Sequence, residues 1–109
     1  MASSKSYLDF IMEQLAGLEG VSSRAMMGEY IIYYKGKVIG GVYDDRFLVK
    51  PTKSAARLMP EASRELPYEG AKEMLLVESV DNRPLLESLL TEMYEDLPEP
   101  KKRKAESQK

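Results

Sequence analysis

Histidine, cysteine and tryptophan are all missing from this 109-residue chain. Without cysteine there is no disulfide, no thiolate nucleophile and no thiolate ligand for a metal. Without histidine the commonest general base and the commonest transition-metal ligand are gone. No apolar run approaches the roughly 20 residues that a membrane-spanning helix needs. The opening MASSKSYL also lacks the apolar core of a signal peptide. The expectation is a cytoplasmic chain with no membrane attachment.

Charge of one sign is scarce where nucleic acid would need it. The formal net charge is −2, but residues 98–109 alone carry five basic and two acidic groups. Residues 1–97 therefore hold 11 basic against 16 acidic groups, a net of −5. An acidic body attracts no polyanion, which speaks against direct DNA binding by the folded part. The tail, with Lys101, Lys102, Arg103 and Lys104, reads first as a solvated, disordered segment. Its four charges support at most weak, salt-sensitive contact with nucleic acid.

What is present is a dense β-forming centre. Residues 30–34 and 38–43 are rich in Tyr, Ile and Val and are parted by Lys35-Gly36-Lys37; a third run, 46–50, follows Asp44-Asp45. Short turn signals between such runs predict consecutive hairpins, with Gly36 free to adopt positive φ. A further strand at 22–27 precedes them, and Gly28 bends the chain between the two. Leu8, Ile11, Met12 and Leu15 repeat at helical spacing, behind a Ser6/Asp9 pair that resembles a capping box. Thr52 is placed to cap a short helix that Pro60 ends, and residues 61–72 read as a loop. Residues 74–77 form a short apolar strand. Asp81 is the expected cap of a last helix whose buried face runs Leu85, Leu86, Leu89, Leu90, Met93, Tyr94 and Leu97. The expected fold is α+β, a two-layer sandwich with helices packed on an antiparallel meander, in the order α-β-β-β-β-α-β-α. One domain over residues 1–97 and a tail over 98–109 complete the organisation.

The stretches Arg24-Ala25-Met26-Met27-Gly28-Glu29-Tyr30, Asp44-Asp45-Arg46-Phe47-Leu48-Val49-Lys50 and Leu66-Pro67-Tyr68-Glu69-Gly70 resemble the N-terminal domain of the TfoX/Sxy family. The similarity runs over about residues 5–97. It implies a two-layer α/β domain and a role in regulating bacterial DNA-uptake competence. It brings no catalytic signature with it. Longer members carry a second domain where this chain has its basic tail.

Candidate chemistry is sparse. Asp44-Asp45 suits a hairpin turn better than a magnesium site, which needs more converging oxygens. Gly36-Lys37 lacks the rest of a phosphate loop. Gly40-Gly41 inside a strand marks a bulge or a close backbone approach before it marks a nucleotide cradle. Ser22 and Ser23 have no base beside them. Arg24 is expected to pair with Glu29, with anion binding as the other option. Neither a metal nor a cofactor is expected. The chain reads as a non-enzymatic regulatory domain that binds a protein partner through Arg24, Met27, Gly28, Glu29 and Tyr30. The alternative is a small-ligand binder or enzyme using Arg, Tyr and carboxylate groups in a cleft. Strands apolar on both faces exceed what three helices can cover, so a homodimer is expected to bury the remainder.

Overall fold

The computed structural model describes residues 4–97. Helix α1 (Lys5–Gln14) leads into four strands, β1 (Val21–Met26), β2 (Glu29–Tyr34), β3 (Lys37–Val42) and β4 (Phe47–Val49). Helix α2 (Lys53–Leu58), strands β5 (Arg64–Glu65) and β6 (Met74–Leu76), and helix α3 (Arg83–Asp96) follow. All neighbours pair antiparallel in one six-stranded sheet of order β1-β2-β3-β4-β6-β5. The α+β meander is as expected, with β5 added inside the segment read as a loop. Two residues between a proline and polar neighbours give no periodicity from which to infer a strand.

Three two-residue loops drive the meander. Met27-Gly28, Lys35-Gly36 and Asp44-Asp45 all have positive φ at both positions, between 52° and 87°. That is the type I′ pattern, whose twist matches the flanking strands. The third loop is closed by paired Tyr43 and Arg46 backbone bonds of 2.9 and 3.0 Å. Glycine fills the second position of the first two loops at no steric cost. Aspartate does so in the third.

Gly40 and Gly41 are a bulge and a close approach together. The β2–β3 register slips between Ile32 and Tyr33, leaving Ile39 as the extra residue opposite them. A Cβ on Gly40 would stand 2.6 Å from the Val49 Cα and against the Leu48 carbonyl. The bulge turns Ile39 into the core, where it is fully buried.

All three helices lie on one face. Leu8, Ile11 and Leu15 of the α1 segment, Ala55 of α2, and Leu86, Leu89, Leu90 and Met93 of α3 share one cluster with Ile32, Tyr34, Phe47, Val49 and Leu75. Each fully buried Leu or Ile contributes about 1.5–3 kcal/mol relative to exposure. The caps differ from the expected ones by one or two residues. Ser4, not Ser6, caps α1 by accepting from the Tyr7 amide, because Ser4 is also held by Asp45 at 2.8 Å. Asn82, not Asp81, caps α3 through the Leu85 amide at 3.2 Å. Thr52 caps α2 as expected.

The end of α3 is held by a buried cation. Lys37 is 6% exposed, and its Nζ donates to the carbonyls of Tyr94 and Leu97, each at 2.9 Å. The same Nζ sits 3.9 Å from the Tyr94 ring centroid. These contacts satisfy carbonyls that a helix C-terminus leaves without partners. The basic tail, including Lys101–Lys104, lies outside the described residues.

Candidate functional site

Alternation sends Tyr30, Ile32 and Tyr34 to the helix side and Glu29, Ile31 and Tyr33 to the other. Register then carries the second set across the sheet. Arg24 pairs with Ile31, Ile31 with Gly41, Gly41 with Leu48, and Leu48 with Leu76. Among the described residues no helix covers this row. The chain beyond β5 covers part of it: the Arg46 guanidinium donates to Glu65 at 2.8 Å and to the Leu66 carbonyl at 3.2 Å. Under that crossing Leu48 and Pro67 are buried, although Leu48 is outside the helix-side cluster.

Tyrosines gather at the turn end of this face. A Cβ on Gly41 would lie 2.7 Å from the Tyr43 ring, so that ring rests on the bare glycine backbone. Tyr68 packs on Tyr43 with ring centroids 6.2 Å apart. Burial, and then the nearby Tyr68, Glu29 and Tyr33 groups, push the Tyr43 hydroxyl above the usual tyrosine range. Of the five exposed large hydrophobics among the described residues, four belong here or at the adjoining β1–β2 corner: Met26, Met27, Leu66 and Tyr68. Met27 is 96% exposed.

The five residues singled out from the sequence are split by this geometry. Met27 and Gly28 form the first turn, with Glu29 directly after it on the open face. Arg24 is exposed on β1, on that same face. Tyr30 points the other way and packs half-buried against the core cluster. The Glu29 carboxylate accepts from the Asp44 amide at 3.1 Å, tying the first turn to the third. Glu29 stands opposite Met26, and Arg24 is its diagonal neighbour on the same face. Ion pairs among the described residues join Lys5 to Asp9, Arg46 to Glu65 and Arg57 to Glu92.

Tyr43, Tyr68 and Arg46 are not among the five expected binding residues, although Arg46 and Tyr68 lie in stretches that carry the family resemblance. Tyr68 lies in a segment with two breakers, and only the fold lays it over Tyr43. A cavity of about 270 Å³ lies between the end of α2, the exit of β6 and the start of α3, lined by Leu58, Met59, Glu61, Leu76, Glu78 and Leu85 among others. Neither Arg24 nor Tyr30 lines it. Among the described residues no three His, Cys, Asp or Glu side chains form a metal-holding group. Among them also, no helix is long and apolar enough to cross a membrane.

Among the described residues, three helices on one face of an antiparallel meander, with the other face only partly covered, define a small α+β domain. The chain matches the TfoX N-terminal domain over residues 13–92 and belongs to that family. It is also similar to an uncharacterized 12.7 kDa protein in the trpE 5′ region of Spirochaeta aurantia. The two are 34% identical over 108 residues, covering 98% of this chain and 94% of the other. No solved structure matches it significantly.

Proposed function

We propose that this is a non-catalytic, cytoplasmic interaction domain that works as a homodimer and regulates through a protein partner. The process that fits its family is transcriptional control of DNA-uptake competence. Met27 carries this reading. It occupies the first position of a type I′ turn, where Asn, Asp or Gly is preferred and a long side chain in positive φ is disfavoured. It also leaves almost its whole side chain in water. A residue unfavourable to both the turn and the surface points to a contact made with something else. Flexible Met side chains suit an adaptable protein surface. Arg24, Gly28, Glu29 and Tyr30 flank it, and the open-face part of that set continues into Tyr43 and Tyr68.

The reading separates stability from binding. Met27→Asn is expected to stabilise the hairpin by about 0.5 kcal/mol, because Asn tolerates positive φ. The same change is expected to weaken capture of the protein partner, identified by crosslinking through a photoreactive residue at position 27 in native cells. Unchanged partner recovery by Met27→Asn, with the hairpin stabilised, would remove Met27 from the binding surface. DNA contact is tested by a gel shift with the tail-deleted protein at moderate salt. Tight sequence-specific binding there would overturn the reading of a protein partner.

A further inference from the structure

The two edges of the sheet are built differently. Strand β5 is two residues long, both charged (Arg64 and Glu65), and Pro67 follows closely. Short length, charge and proline are the usual devices that stop an edge from pairing with another chain. Strand β1 has only one of them, the single charge of Arg24. It runs for six residues, VSSRAM, with no proline and no bulge in its pairing to β2. Residues 22–26 are all exposed, and Arg24 is the single charge in the strand. In a body of net charge −5 this edge carries no acidic group.

The register fixes which backbone groups are available. Met26 and Glu29 flank a two-residue loop, so they form a hydrogen-bonded pair, and the bonded positions on β1 alternate from there. The Lys35 amide donating to the Gly20 carbonyl at 2.8 Å continues that alternation. Even-numbered residues of β1 therefore bond to β2. Val21, Ser23 and Ala25 direct their N–H and C=O groups away from the sheet.

We infer that a second copy of this chain occupies this edge, β1 pairing antiparallel with β1 about a two-fold axis at Ser23. Centred there, Ser23 faces Ser23 of the second copy and Val21 faces Ala25 at both ends. Every outward donor then meets an outward acceptor, six bonds in all, which no other antiparallel self-register achieves. Arg24 stands opposite the small Ser22 of the second copy, and Tyr33 is its diagonal neighbour on β2 beside the paired Ile31, so its guanidinium has an open path to that ring. A closed two-fold contact of this kind consumes both unguarded edges and leaves the guarded β5 edges outermost. The dimer joins the two open faces into one surface of twelve strands, each with its own Met27 corner. Strand pairing alone buries less than the about 800 Å² per partner of a standard interface, so the dimer dissociates on dilution.

This deepens the homodimer reading above, and its test is separable from the partner test. Sedimentation of the full chain across micromolar to millimolar concentrations is expected to show a monomer–dimer equilibrium. Ser23→Pro removes an outward amide that the monomer does not use, at an edge position where proline is tolerated. The variant is expected to keep the native melting transition and circular dichroism while weakening dimerisation about 30- to 100-fold. Ser23→Ala retains the amide and is expected to dimerise like the parent. Met27→Asn lies beyond the paired segment and is expected to leave sedimentation unchanged. A chain that stays monomeric at every concentration overturns the inference. So does a dimer that a folded Ser23→Pro variant forms as tightly as the parent, which would place the contact on the open face instead.

Discussion

Replacing Lys37 by Met tests the account of how α3 is fastened to the sheet. Met preserves most of the aliphatic stem and its packing but removes the ammonium. Lost with it are two bonds of 2.9 Å to the Tyr94 and Leu97 carbonyls and a contact 3.9 Å from the Tyr94 ring. A net hydrogen bond from a charged donor is worth about 1.5–3 kcal/mol, and a cation at a partly buried helix C-terminus contributes up to about 2 kcal/mol. Against these stands the desolvation that a 6% exposed cation endures, which Met does not. The balance is a loss of about 2–4 kcal/mol, because the Leu97 carbonyl loses this donor and the Tyr94 carbonyl keeps only the 3.4 Å bond from the Leu97 amide. For a domain of this size that corresponds to a fall in melting temperature of about 10–25 °C. Urea denaturation followed by circular dichroism measures it, with an unchanged m-value showing that the unfolded state is the same. A loss below about 0.5 kcal/mol would mean that water satisfies those carbonyls equally well, and that the clamp is incidental.

Two further outcomes follow from single contacts. Gly40→Ala drives a Cβ into the β4 backbone, 2.6 Å from the Val49 Cα, and is expected to destabilise the fold by about 2–4 kcal/mol in denaturant titration; an effect under about 1 kcal/mol would mean that β4 yields easily. Asp96 accepts from the Ser54 amide at 2.8 Å, and that bond, with further Ser54 and Thr52 side-chain bonds and the Lys53 charge, holds its carboxyl below the usual range. Its contribution is therefore present above the ordinary Asp pKa and is lost as pH falls through the lowered value. Asp96→Asn is expected to reduce stability at neutral pH and to flatten that acid limb; parallel pH–stability curves for parent and variant would contradict the assignment.

Much of the fold is dictated by neighbouring residues. The I′ loops at Gly28 and Gly36, the Thr52 cap and the Leu-rich face of α3 are local matters of φ, hydrogen-bond reach and helical period, so they are readable in order along the chain. The bulge at Gly40-Gly41 is legible for the same reason. Caps at Ser4 and Asn82 are less so, since several polar residues compete at each helix start. Tertiary partners decide among them, as Asp45 does by holding Ser4.

The candidate site is where the sequence by itself runs short. Composition removes His and Cys chemistry from the chain, and the stretch 24–30 is its most distinctive run. Which of those residues share a surface depends on strand register. A one-residue step along β2 places Glu29 and Tyr30 on opposite faces, and pairing with β1 puts Met26 directly opposite Glu29, with Arg24 diagonal to it. Tyr43 and Tyr68 are 25 positions apart and meet because the chain beyond β5 recrosses the open face. Lys37 and Leu97 are 60 positions apart and meet because α3 ends over the start of β3. Side-chain period and turn chemistry act over a few residues and are written in the sequence. Contacts across such separations require the whole sheet to close first, and only the tertiary structure decides them.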